Sequence, residues 1–188
     1  GMVLSASPVG EYDKRVVILT RELGKITAFA RGARRMKSPL MAVSNPFVFG
    51  EFQVYEGRDS YTLSGANIKE YFLDLAQMQP GVYYGFYFLE LAEYFGQEGN
   101  DETQMLNLLY VTMNAIRRGK QDLRLIRCIF ELRTITISGE APQMFSCMEC
   151  GTKENLTVFS LRDSAIYCPN CGKTIRDPWP LQPGTVLA

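Results

Sequence analysis

Histidine is absent from this sequence of 188 residues, and no apolar run approaches the roughly 18 residues of a transmembrane helix. The missing histidine removes the most common general base and the usual activator of a serine or cysteine nucleophile. No basic segment followed by a long apolar segment marks a signal peptide, and we interpret Gly1 before Met2 as a remnant of tag removal. We therefore expect a cytoplasmic protein that is not an enzyme.

The formal net charge is zero, but the charges are unevenly distributed along the chain. Residues 1–40 hold eight lysines and arginines against three acidic residues, so this region carries +5 and the remainder −5. The whole-chain average therefore hides a basic N-terminal region. Basic regions of this kind are typical of nucleic-acid-binding surfaces.

Five short segments rich in β-branched and aromatic residues lie within the first 72 residues and are separated by turn signals. Apolar residues at Phe47, Phe49, Phe52 and Val54 indicate one buried face with a bulge at Gly50. Five strands in so short a span are typical of a small closed barrel. The OB-fold is the common form, although an SH3-like barrel has the same statistics. The strands are predicted at Val3–Leu4, Val16–Thr20, Lys25–Arg31, Phe47–Tyr55 and Tyr61–Lys69.

The periodicity becomes helical from Pro80 to about Ser138. The first helix is apolar on several sides, which predicts a central position among the helices. The second helix is predicted to begin after Asp101 and to bury one stripe, and the third to run from about Gln121 and stop before Gly139. We expect Cys128 of the third helix to be an inert core thiol. The predicted stripe of the second helix is Met105, Leu108, Leu109, Thr112, Met113 and Ile116.

Four of the five cysteines form two matched pairs, Cys147/Cys150 and Cys168/Cys171, each followed by glycine. This spacing is typical of a four-cysteine zinc site, in which four thiolates fill a tetrahedral shell and leave no position for a catalytic water. Short strands are predicted between the pairs, at residues 156–160 and 165–167. Two alternatives stay open: a pair of disulfides, and a redox-active Cys168-Pro-Asn-Cys171 motif.

Four cations lie within seven residues after the third predicted strand: Arg31, Arg34, Arg35 and Lys37. A loop of this kind neutralises phosphates, and aromatic side chains on the barrel could stack bases. A solvated loop of surface charge is an equally good interpretation of the cluster alone.

Several segments of the chain, in the same order, resemble the RecO family of bacterial recombination mediators. The resemblance rests on Gly10–Lys14, Thr20–Lys25, the basic segment Ala30–Ser38, and Phe130–Leu132 through Ser138–Pro142 before the cysteine pairs. It also includes Tyr83/Tyr84 and Leu89–Leu91 in the first helix.

The resemblance implies an α+β multidomain protein with an N-terminal OB-fold and an α-helical domain that carries a zinc finger. It implies binding of single- and double-stranded DNA, annealing of complementary strands, association with RecR and with single-stranded-DNA-binding protein, and an indirect role in RecA loading in the nucleoid. By position, Arg31, Arg34, Arg35 and Lys37 would contact DNA, with Lys14 and Lys25 as weaker candidates, and Cys147, Cys150, Cys168 and Cys171 would hold one structural zinc ion.

The predicted domains are an OB-fold at 1–78, helices at 79–143, a zinc finger at 144–175 and a tail at 176–188. Proteins of the family usually continue with further helices, so we expect the tail to be the truncated start of one. The residues alone also suit a zinc-ribbon protein that binds RNA or acts in transcription, a dithiol oxidoreductase, or a protein-interaction scaffold with incidental basic charge.

Overall fold

The computed structural model describes residues 1–182 and divides into two compact units, Gly1–Ser138 and a second one that begins at Gly139. None of the helices in this part of the chain is both long and apolar enough to cross a lipid bilayer. The first unit contains strands β1 Met2–Val9, β2 Asp13–Leu19, β3 Lys25–Ala30, β4 Phe49–Glu56 and β5 Tyr61–Glu70. Its helices are α1 Leu40–Val43, a 3-10 turn at Leu73–Gln77, α2 Gly81–Phe95, α3 Thr103–Arg118 and α4 Leu123–Ile137.

The five strands close into a barrel in the order β1-β2-β3-β5-β4. All neighbouring strands are antiparallel except β3 and β5, which pair in parallel at Ala28–Tyr61 and Phe29–Thr62. The pairing of Met2 with Phe49 joins the first strand to β4 and closes the ring. The predicted OB-like five-stranded barrel is confirmed.

The aromatic residues before and after Gly50 face different cores, so the predicted single buried face is wrong. Phe47 and Phe49 belong to the core shared with the helices, whereas Phe52 and Val54 pack against the barrel interior. A register shift between β4 and β5 does occur at Gly50, as predicted. The sequence pattern misleads because α3 covers the outer face of β4 only at its start, where Phe49 packs against Tyr110. Farther along the same face, Glu51 and Tyr55 are exposed.

The helices pack on the barrel through a core that includes Leu4, Val17 and Leu19 from the strands. The predicted stripe of α3 is confirmed, with Leu108 half-buried and the other five residues buried. Phe88 of α2 stacks on Phe130 of α4 with 4.4 Å between ring centroids, and burying each ring stabilises the fold by roughly 2–3 kcal/mol. Helix α2, the first predicted helix, therefore packs against its neighbours on one side only.

The exposure of α2 and the position of the N-cap of α3 differ from what the sequence predicts. Tyr83 and Tyr94 of α2 are exposed, although the sequence predicts a helix that is surrounded by its neighbours. At the start of α3 the carboxylate of Asp101 accepts the N–H of Thr103 at 2.8 Å, as expected, while Glu102 holds the N-cap position.

Cys128 is exposed, so the prediction of an inert core thiol is wrong. The fourth helix buries only the narrow stripe of Ile126, Phe130 and Thr134. Its apolar neighbours Leu125 and Ile129 are each about half exposed. Apolar composition around Cys128 therefore did not indicate burial, because the partner elements cover one side of the helix only.

The second unit contains β6 Val158–Ser160, β7 Ala165–Tyr167, the short helix α5 Pro169–Gly172 and β8 Trp179–Pro180. The two predicted strands are present, and β6 begins two residues later than predicted. β6 also pairs with β8 on its other edge, at Phe159–Trp179, which the sequence does not predict. The expectation that a helix starts at the end of the tail concerns residues 183–188, which lie outside the described residues.

Arg117 of α3 forms ion pairs with residues at the end of the barrel and just after it. Its guanidinium contacts the carboxylates of Glu70 at 2.8 Å and Asp74 at 2.9 Å and lies 4.8 Å from the ring centroid of Phe72. Burial alone raises the pKa of Glu70, but hydrogen bonds from Arg117 and from the N–H of Phe72 outweigh it and lower that pKa. The ionised carboxylate is therefore the form that stabilises this junction.

We predict that Arg117→Met lowers the free energy of unfolding by about 1–2 kcal/mol at neutral pH, because the ion pairs are only partly buried. Since the pKa of Glu70 is lowered on folding, the difference is fully present above about pH 4.3 and disappears as the pH falls through that lowered pKa. Urea unfolding of both proteins at pH 7 and pH 3 measures it. The exposed neighbour Arg118→Met is the control, and an equal effect of both substitutions would contradict the assignment.

Candidate metal centre and basic surface

Four cysteine sulfur atoms form a cluster in the second unit. The Sγ atoms of Cys147, Cys150, Cys168 and Cys171 all lie within 4.8 Å of one another, and those of Cys150 and Cys168 are 3.9 Å apart. A tetrahedral ion bonded to four thiolates at about 2.3 Å places the sulfur atoms roughly 3.8 Å apart. The four cysteines therefore have the spacing that a metal ion requires. None of them forms a disulfide, whose sulfur atoms would be about 2.05 Å apart.

The first cysteine pair lies on a tight turn. The N–H of Gly151 donates to the carbonyl of Cys147 at 2.9 Å, and Gly151 has a φ of 72°, a left-handed conformation that favours glycine. Burial favours the neutral thiol of Cys147, but N–H groups of Cys150, Cys168 and Glu149 together lower its pKa to about 6. The backbone around Cys147 therefore stabilises a thiolate, which is the form that binds metals.

The second pair begins the short helix α5, and its glycine is needed for a different reason. A Cβ at Gly172 would lie 2.7 Å from a methyl group of Val158 on β6, and Gly172 has no left-handed φ. The sequence pattern predicts that both glycines relieve backbone strain where amides approach sulfur. The structure shows that Gly151 provides a backbone conformation, while Gly172 provides space for close packing.

The basic loop, residues Arg31–Ser38, joins β3 to α1. The side chains of Arg31, Arg34, Arg35 and Lys37 are all exposed. Within residues 1–182, none of the ion pairs uses any of these four cations. The loop therefore presents four charges that are not neutralised by neighbouring carboxylates.

The basic loop is held against the turn between β1 and β2. Asp13 accepts the N–H of Gly32 at 2.7 Å, and the N–H of Arg34 donates to the carbonyl of Tyr12 at 2.8 Å. The Arg35 guanidinium lies 5.0 Å from the ring centroid of Tyr12, within the range of a cation–π contact. These contacts give the loop a fixed position, which the sequence did not indicate.

Of the two weaker candidates for DNA contacts, Lys14 lies beside the basic loop and Lys25 does not. Lys14 pairs with Ala30 at the end of β3, and its ammonium donates to Asn45 at 2.7 Å. Partial burial lowers the pKa of Lys14, and the nearby charge of Arg34 lowers it further. Lys25 begins β3 at the opposite end and donates to the carbonyl of Glu93 at 2.7 Å.

Sequence reasoning missed two residues beside the loop, Tyr12 and Arg15. Tyr12 is 41% exposed on the turn, and Arg15 is an exposed cation on β2. The signal for both is their place next to Asp13 and Lys14, and Tyr12 also lies within Gly10–Lys14, a segment that carried the family resemblance. We define the basic surface as Lys14, Arg15, Arg31, Arg34, Arg35 and Lys37.

We predict that the purified chain contains one metal ion and that Cys147→Ser loses it, because three thiolates cannot complete the tetrahedral shell. Metal content by mass spectrometry and unfolding by circular dichroism measure the result. Cys128→Ser is the matched control, since its thiol is exposed and lies outside the cluster. Retention of a full equivalent of metal by Cys147→Ser, or its loss from Cys128→Ser, would refute the site.

The chain matches two family models that together cover most of its length. Residues 1–72 match the model described as "Recombination protein O N terminal", and residues 81–187 match "Recombination protein O C terminal". The first match contains the barrel and the basic loop, and the second contains helices α2, α3 and α4 and the cysteine cluster.

Curated relatives agree with the family models. The DNA repair protein RecO of Alkaliphilus metalliredigens is 37% identical over 172 residues, which cover 91% of this chain and 70% of that protein. The RecO protein of Bacillus pumilus is 32% identical over 97% of this chain and 71% of its own length. The RecO protein of Caldicellulosiruptor saccharolyticus is 33% identical over 91% of this chain and 70% of its own length. The chain therefore belongs to the RecO family of bacterial DNA repair proteins.

Proposed function

We propose that this chain is a recombination mediator that binds single- and double-stranded DNA through the basic surface and anneals complementary strands. The observation that carries the proposal is the basic loop, which holds four exposed cations in a fixed position in a chain of zero net charge. Membership of a DNA repair family supports DNA as the polyanion.

The proposed affinity has a simple electrostatic origin. Each phosphate that a cation neutralises releases condensed counterions, so binding weakens as salt rises. In the two segments that contain the six cations, residues 10–18 and 30–40, the acidic residues are Glu11 and Asp13, and Asp13 already accepts the N–H of Gly32. The charge is therefore concentrated at one end of the barrel instead of being spread over the chain.

Annealing follows from the same charge. Two complementary strands repel each other through their phosphates, and a cationic surface lowers that repulsion when both strands are close to it. Contacts to phosphates carry no sequence information, so the bases stay free to search for their partners. No bond is broken in this process, and we propose that the chain is not an enzyme, in keeping with its lack of histidine.

The remaining proposals concern the metal and the protein partners. Four thiolates are the usual ligands of structural zinc, so we propose one zinc ion at the cysteine cluster, where it would stabilise the second unit. Membership of the RecO family supports association with RecR and with single-stranded-DNA-binding protein during RecA loading.

We predict that replacing Arg31, Arg34, Arg35 and Lys37 with alanine weakens binding to single-stranded DNA and flattens its salt dependence. Each lost phosphate contact removes about 0.7 from the slope of log K against log salt, so four removed contacts change it by roughly 3. Fluorescence anisotropy with a labelled oligonucleotide across a salt series measures both quantities.

The matched control removes the same amount of charge elsewhere in the first unit. Arg118, Lys120, Arg124 and Arg133 are exposed, and their replacement with alanine changes the net charge equally. If the two variants lose affinity equally, only net charge matters and the basic surface is not the site. A structured RNA in the same series tests the RNA-binding alternative, which a preference for that RNA would support.

A further inference from the structure

A row of side chains crosses four strands on the barrel beside the basic loop. Arg15 on β2 pairs with Phe29 on β3, Phe29 pairs with Thr62 on β5, and Thr62 pairs with Tyr55 on β4. The four residues are therefore neighbours in one continuous line perpendicular to the strands. We name them the aromatic row.

The aromatic row faces outward. On each strand, a residue directly before or after the row residue in the sequence packs in the barrel interior. These neighbours are Val16, Ala28, Leu63 and Val54. Because successive side chains of a strand point to opposite faces, the row lies on the outer surface. Tyr55 is 70% exposed, Arg15 is exposed, and Phe29 and Thr62 are partly exposed.

The helices do not cover this part of the outer face. Farther along β2, Val17 and Leu19 point to the same side as Arg15 and are buried in the core shared with the helices. Arg15 comes before this covered region, and the rest of the row continues away from it across β3, β5 and β4. Two aromatic side chains, Phe29 and Tyr55, thus stay at least partly accessible on the outer face of the sheet.

The spacing of the row suits a single strand. Adjacent strands lie about 4.8 Å apart, so Phe29 and Tyr55, separated by β5, are roughly 10 Å apart. Arg15 borders Phe29 on one side, and the basic loop begins two residues after Phe29 at Arg31. A chain of nucleotides can place bases on the two rings while its phosphates reach these cations.

We propose that the aromatic row is a subsite specific for single-stranded DNA, in which Phe29 and Tyr55 stack unpaired bases and Arg15 holds a phosphate. The inference rests on the proposed DNA-binding function and assigns selectivity to a part of that surface. Bases of a duplex are already stacked on one another, so they have no free face for the rings. The basic loop, in contrast, binds phosphates of both forms.

The test compares three labelled probes by anisotropy at one salt concentration: a 25-nucleotide oligothymidine, a chain of equal length with abasic sugars, and a 25-base-pair duplex. Tyr55→Leu and Phe29→Leu/Tyr55→Leu remove the ring faces but keep apolar side chains. We expect each lost stacking contact to weaken oligothymidine binding about five-fold or more, since base stacking on aromatic side chains is worth roughly 1–3 kcal/mol. Binding of the abasic chain and the duplex should stay unchanged.

Tyr94→Leu is the control, because Tyr94 is an aromatic residue of α2 that is 81% exposed and lies outside the row. Tyr55→Leu by itself decides the question even if the double variant folds poorly, since its side chain is largely in solvent. Equal binding of all three probes by Tyr55→Leu and the native chain overturns the inference and leaves the proposed function intact. A parallel loss on all three probes overturns it as well. Failure of the native chain to bind any probe overturns the proposed function itself.

Discussion

Antiparallel pairing of β2 with β3, which sets Lys14 opposite Ala30, determines where the basic loop lies. Because β2 and β3 run in opposite directions, the end of β3 lies beside the start of β2 and the turn between β1 and β2. The carboxylate of Asp13 is in place there to accept the N–H of Gly32, and the loop that follows is held with its cations outward. Without these contacts to the turn between β1 and β2, the same residues would form a solvated run of charge, which was the alternative interpretation of the basic loop.

We propose that charge distribution, not total charge, connects this architecture to DNA repair. The chain has no net charge, yet residues 1–40 carry +5 and the remainder −5. The second unit contributes a cysteine cluster whose four ligands suit a structural ion with no open coordination position. Both features favour a protein that works by binding and positioning, and neither requires a reacting group.

The sequence predicted the features that depend on local pattern. The cysteine spacing, the five strands and the stripe of α3 are periodic or motif-like, and the structure confirms them. The sequence-based predictions failed where contacts with other elements decide which side chains are buried. Phe47 and Phe52 pack in different cores, and Cys128 is exposed because only one side of α4 is covered. Gly172 was misread for the same reason, since its need for space comes from Val158 on another strand. The aromatic row is likewise invisible without the strand registers.

We propose that a fixed loop position, and not charge alone, creates a DNA-binding surface. Asp13→Asn and Asp13→Ala test it most directly, because both remove the same negative charge but only asparagine keeps an oxygen that can accept the N–H of Gly32. The account predicts that Asp13→Ala binds single-stranded DNA several-fold more weakly than Asp13→Asn at the same salt concentration, as measured by anisotropy. Equal affinities of the two variants would contradict it, and would mean that a mobile charged loop is sufficient.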